Sequence, residues 1–139
     1  MNGNFKISKD ILIKYIGNEK NVVIPGIIRE IGKEAFYESS VETIVIEEGV
    51  KIIGTSAFCG CGNLTEITFP NTLEVIEYDA FCACSKLEKI ILPDSLIKIG
   101  KAPFTICDRL KEVVVGECNR AVKSIDGNLF SNKKTSLFA

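Results

Sequence analysis

The chain has 139 residues, 46% hydrophobic and 25% charged, with a formal net charge of −1, which fits one ordinary globular domain with a real core. Near-neutrality excludes a broad positive field, so neither nucleic acid nor an anionic membrane surface is expected as the main partner. No apolar run approaches the ~18 residues of a membrane span, and the absence of His removes the commonest general base and metal ligand.

Residues 1–21 read as a short β lead-in. Phe5 and Ile7 alternate with polar residues, Ser8-Lys9-Asp10 is turn-like, and Ile11 to Ile16 is β-branched and aromatic. Met1 to Lys6 carries no apolar signal-peptide core. The chain is therefore expected to be cytoplasmic or cut from a longer one. Gly17 to Asn21 is a turn cluster, and the whole lead-in could cap the first exposed edge of a stack.

Residues 22–115 repeat themselves at a step of 22–23 residues. Ile31, Ile53, Ile76 and Ile99 form one column. Ala35-Phe36, Ala57-Phe58 and Ala80-Phe81 form the next, continued by Pro103-Phe104. Then come Val41, Leu64, Leu87 and Leu110, followed three residues later by Ile44, Ile67, Ile90 and Val113, and two later by Ile46, Phe69, Leu92 and Val115. One such coil cannot bury its own apolar face, but stacked coils bury a continuous column. A period of this length marks a leucine-rich solenoid.

Within each copy, Leu-x-x-Ile-x-Ile predicts a strand with alternate side chains inward. Pro25, Pro70 and Pro93 close that strand in three copies and Glu47 stands there in the other. A second, shorter strand is predicted at Ile52-Ile53 and its equivalents. Gly32, Gly54 and Gly100 offer a free backbone angle, although Glu77 fills that column in the third copy. The Ala-Phe-x-x-Cys segment predicts one turn of helix or 3₁₀ helix. Residues 116–139 leave the pattern, and Asp126-Gly127 between apolar residues predicts a hairpin. The expected fold is thus a right-handed, β-rich leucine-rich repeat solenoid with four coils and short helical turns, in one domain.

Val23-Ile24-Pro25, Ile31 to Phe36, and Ala80 to Leu87 leading to Pro93 resemble the BspA-like leucine-rich repeat family. Leu12 to Gly17 is similar to its N-terminal lead-in, and Ser124 to Phe130 to its interruption between repeat blocks. The resemblance implies a protein–protein or adhesion module, since members are mostly bacterial or protozoan surface proteins, some of which bind host matrix proteins. It implies no catalytic residues.

The cysteines are the candidate chemistry. Cys61, Cys84 and Cys107 share one column with Ser39 and read as small buried hydrophobes. Cys59 and Cys82 sit one residue after Phe, beside Tyr37 and Thr105, where more exposure is expected. A four-thiolate zinc site from Cys59, Cys61, Cys82 and Cys84 is disfavoured because residues two apart diverge. A Cys59–Cys82 disulfide is conceivable between coils about 4.8 Å apart, but requires an oxidising compartment. No metal, cofactor or catalytic residue is expected, since a thiolate nucleophile lacks a His base. Asn63-Leu64-Thr65 matches a glycosylation acceptor with Leu64 expected inside, and Glu47-Glu48 reads as a solvated turn.

The outward side of the longer strand carries the candidate binding residues. Val45, Thr68, Ile91 and Val114 form one outward column, and Thr43, Glu66, Lys89 and Glu112 another. The β-branched column has two readings: strand propensity alone, or a binding stripe on the concave face. The functional expectation is a protein partner held there. The alternative is a structural spacer that self-assembles into a homo-oligomer through an open solenoid edge.

Overall fold

The computed structural model describes residues 4–115, so the hairpin expected over 116–139 lies outside the described residues. The ordered elements are all strands. In chain order they are β1 (Phe5–Ser8), β2 (Ile11–Tyr15), β3 (Asn21–Ile24), β4 (Glu30–Ile31), β5 (Thr43–Ile46), β6 (Ile52–Ile53), β7 (Glu66–Thr68), β8 (Val75–Ile76), β9 (Lys89–Leu92), β10 (Lys98–Ile99) and β11 (Glu112–Val115). The fold is a leucine-rich repeat solenoid of about five turns.

Each turn contributes one strand to each of two walls. The first wall is a continuous sheet of order β1-β2-β4-β6-β8-β10. It is parallel throughout except for the β1–β2 pair, which is antiparallel. The second wall is split into β3-β5-β7 and β9-β11, each parallel. The turn count exceeds the expected four because β2 pairs in register with β4, Leu12 against Ile31. The lead-in thus supplies a turn of its own, and β1 lies across its outer edge.

The repeating columns put their side chains where the period requires. Ile31, Ile53, Ile76, Ile44, Leu64, Leu87 and Ile90 are buried. Phe36, Phe58, Phe81 and Phe104 form an aromatic stack, with successive centroids 5.0, 5.3 and 5.9 Å apart. Tyr15 extends it by one turn, stacking on Phe36 at 4.9 Å, and Phe5 closes it at 5.7 Å. Tyr15 can sit in an apolar column because its hydroxyl accepts the Glu19 N–H at 2.8 Å.

The Ala-Phe segments are not helical, contrary to the sequence expectation. Their N–H groups alternate in destination. Ala35, Tyr37 and Ser39 bond back to the carbonyls of Gly32, Glu34 and Phe36, while Glu34, Phe36 and Glu38 donate forward to Thr55, Ala57 and Cys59 in the next coil. The next coil repeats this, with Ser56, Phe58 and Gly60 donating to Tyr78, Ala80 and Cys82. Left-handed residues at a spacing of four make the alternation: Glu34 and Glu38, Ser56 and Gly60, Asp79 and Ala83, Ala102 and Ile106. A helix would keep every N–H within its own coil. Here half of them form a third ladder between coils, satisfying buried backbone that a stack would otherwise strand.

The glycine column does not need a left-handed angle, as Glu77 within it indicates. Positive φ occurs at Gly49 and Gly60, not at Gly32, Gly54 or Gly100. What that column needs is closeness: a Cβ on Gly54 would lie 2.8 Å from the Ile31 carbonyl oxygen and 3.0 Å from the Gly32 carbonyl carbon. Glu47 and Glu48 likewise do more than solvate a turn. Their carboxylates accept the backbone N–H groups of Gly26 and Asn71, each at 3.1 Å, in neighbouring coils.

Candidate interaction face and cysteine cluster

The long strands fix the proposed stripe by parallel register. Asn21, Thr43 and Glu66 lie opposite one another, as do Val23, Val45 and Thr68. Across the second half, Lys89 pairs with Glu112 and Ile91 with Val114. Alternation along each strand keeps Ile44, Ile67, Ile90 and Val113 inside. Outside, Val23 is 52%, Val45 43% and Ile91 57% exposed. Glu66, Thr68, Lys89 and Glu112 are exposed, while Thr43 and Val114 are half-buried.

Polar groups between these residues are locally tied. The Thr43 hydroxyl donates to Asn21 Oδ1 at 2.7 Å, and Lys89 Nζ lies 3.9 Å from Glu112 Oε1. The latter pair is solvent-exposed, so it contributes little stability. Asn21 and Val23 belong to the stripe but are absent from the sequence expectation. Their signal was available, since Val22-Val23-Ile24 alternates as Ile44-Val45-Ile46 does.

The face is interrupted once. Among the described residues no ladder joins β7 to β9, and a cleft of about 530 Å³ opens there, lined by Glu66, Thr68, Phe69, Lys86, Lys89 and Ile91 among others. Phe69 coincides with the break. It fills the column that Ile46 and Leu92 fill elsewhere, and β7 ends just before it while β5 and β9 run through that position. Its ring, half-buried, meets Phe81 edge-on at 5.9 Å and 78°.

The cysteines divide as their columns predict. Cys61, Cys84 and Cys107 are buried, and each thiol donates to the Phe carbonyl of the preceding coil: Phe36, Phe58 and Phe81, at 3.1, 3.2 and 3.0 Å. The Cys84 thiol is strongly raised by its hydrogen bonds with Cys107 and Cys61, and then by burial. The inward direction of Cys61 and Cys84 removes the four-thiolate arrangement. Cys59 and Cys82 are half-buried thiols in hydrogen-bond contact with each other. Burial, then the Asp79 carboxylate, pushes the Cys82 thiol up to about 12. Burial raises the Cys59 thiol as well, against the lowering effect of its bond to Cys82. Leu64, inside the glycosylation-like tripeptide, is fully buried.

A comparison with family profiles matches residues 13–138 to the BspA-type leucine-rich repeat region, in six copies. The chain belongs to the BspA-type leucine-rich repeat family. Solved structures of leucine-rich repeat proteins share its fold. One from Bacteroides capillosus is 26% identical with a TM-score of 0.73, covering 81% of this chain and 92% of that one. The pneumococcal vaccine antigen PcpA is 32% identical with a TM-score of 0.77, covering 82% of this chain but 29% of that one. The TpLRR protein of T. pallidum is 25% identical with a TM-score of 0.66, covering 80% and 68%. A comparison with curated proteins gives no match. In these coils the inward columns are committed to stacking, while the outward column differs from copy to copy, as Val45, Thr68, Ile91 and Val114 do.

Proposed function

We propose that this chain is a non-catalytic interaction module that holds a protein partner on its long-strand face. The observation that supports this most is the outward column of exposed aliphatic residues, Val23 and Val45 paired on β3 and β5 and Ile91 beyond the cleft on β9. Strand propensity explains β-branched residues there. It does not explain Ile91 exposed at the edge of a cleft, where water must be held against apolar surface. Thr43, Glu66, Lys89 and Glu112 flank the column with polar groups, the pattern of an apolar patch inside a polar rim.

The test is a binding screen of the immobilised chain against a protein array, with any ligand found then titrated against Val45→Lys and Ile91→Lys. Each substitution is expected to weaken binding by roughly tenfold, about 1.4 kcal/mol, with the circular dichroism spectrum unchanged. Unaltered affinity in both folded variants would refute the proposal. Concentration-dependent self-association in sedimentation, with no heterologous ligand, would assign the chain to self-assembly instead.

A further inference from the structure

The turn columns hold a second feature, built from different residues than the strand face. The 23-residue step places Cys59 and Cys82 at the same position of adjacent coils, with Asp79 three residues before Cys82 in its turn. The backbone around them is fastened. Gly60 N–H donates to the Cys82 carbonyl at 2.7 Å, Phe58 N–H to Ala80 at 2.8 Å, and Cys82 N–H to Asp79 at 3.2 Å. Asp79 takes a left-handed φ of 61°, a conformation that Asp tolerates better than most residues. One ligand atom from each of the three, two Sγ and a carboxylate oxygen, lie within 4.8 Å of one another.

We propose that Cys59, Asp79 and Cys82 bind a thiophilic divalent cation of the zinc class. Tetrahedral zinc with bonds of about 2.3 Å to sulfur and 2.0–2.2 Å to oxygen sets its ligands about 3.5–3.8 Å apart. Three atoms already within 4.8 Å reach that spacing by rotamer adjustments of about 1 Å or less, without moving the ladder behind them. All three residues are half-buried, so one side stays open to the ion and to a water in the fourth position. A disulfide is the rival use of the two thiols. It gives Asp79 no role, and it needs an oxidant, whereas cation binding exchanges two thiol protons for the metal and uses all three groups.

The experiment titrates Co²⁺ and Zn²⁺ into the full, reduced chain. One Co²⁺ is expected to bind with a thiolate-to-cobalt charge-transfer band, which Zn²⁺ then bleaches. Cys59→Ser and Cys82→Ser are each expected to weaken binding by at least about 100-fold, and Asp79→Asn by about tenfold, the scale on which metal-site substitutions act. Circular dichroism on each variant separates lost binding from lost folding, and Cys59→Ala provides a second thiol deletion if a serine variant does not fold. The proposal is overturned by an absent charge-transfer band, or by binding retained in a folded Cys59 or Cys82 variant. It is equally overturned by a Cys59–Cys82 disulfide whose reduced form takes up no cobalt.

Discussion

The turn side and the long-strand side of this solenoid are built from the same coils, yet they hold together differently. On the turn side, N–H groups donate from coil to coil without a gap, from Tyr15 to Ala35 and on to Ala83 and Thr105. Behind that ladder the rings of Tyr15, Phe36, Phe58, Phe81 and Phe104 stack continuously. On the long-strand side the ladder stops between β7 and β9. The difference teaches that a solenoid needs only some of its walls to be continuous. The turn ladder and the β2-to-β10 sheet carry the stack, which leaves the long-strand wall free to open a cleft.

The sharpest way to break that division is to remove a ring. Phe81 is fully buried, stacked on Phe58 and Phe104 and touched edge-on by Phe69. Phe81→Ala is expected to cost about 3–5 kcal/mol in denaturant unfolding, whereas Ile91→Lys on the other side should stay within about 0.5 kcal/mol. A loss below about 1 kcal/mol for Phe81→Ala would mean that the turn side does not carry the stack. Next in size is Gly54→Ala. Its Cβ would meet backbone atoms of the previous coil at 2.8 and 3.0 Å, and backbone cannot swing aside as a side chain can. About 1–3 kcal/mol is expected, read from the same unfolding curves, and no loss would show that the coils can move apart there.

The columns of Ile, Leu and Phe made this fold legible, because stacking demands the same residue type at the same place in each coil. The period also separated buried Cys84 from half-buried Cys82. Four things were hidden. The turn segments looked helical because Ala-Phe-x-x-Cys has helical spacing. Their left-handed positions are filled by Glu34, Ser56, Asp79 and Ala102, which do not advertise that angle as glycine would. The reason for the glycine column is close contact, and only the distance between adjacent coils reveals that. Tyr15 lies before the first full repeat, inside the β lead-in, and its place in the aromatic column depends on a partner for its hydroxyl, the Glu19 N–H, which a turn supplies. The candidate stripe could be read by alternation, but the cleft within it could not. That cleft depends on a strand pairing that fails, and pairing is a property of two coils together.

The left-handed positions allow a finer comparison along the turn side itself. In the column of Glu38, Gly60, Ala83 and Ile106, Ile106 is β-branched at φ 60° and 59% exposed. Its side chain gives up little packing if removed, while its backbone carries the left-handed penalty of roughly 1–2 kcal/mol. Ile106→Gly is therefore expected to stabilise the chain by about 1 kcal/mol once the added chain entropy of glycine is subtracted. A fall in melting temperature would mean that the Ile106 side chain packs more than its exposure indicates.

The smallest effect tests why the long-strand wall opens. Phe69 occupies a column held by Ile24, Ile46 and Leu92 in other coils, and β7 loses its final residue there. Phe69→Leu restores the column's usual size and frees the edge of Phe81. The lost aromatic contact, worth about 0.5–1.5 kcal/mol, is offset by backbone bonds that can form between β7 and β9, each contributing about 0.5–1.5 kcal/mol net. Global stability should change by less than about 1 kcal/mol. The informative readout is local. Amide hydrogens of Glu66 to Thr68 and Lys89 to Leu92 that exchange freely in the natural chain should become protected, and a ligand that enters the cleft should bind less well. If protection does not rise, the break belongs to the stacking of the third and fourth coils as a whole, not to the size of one ring.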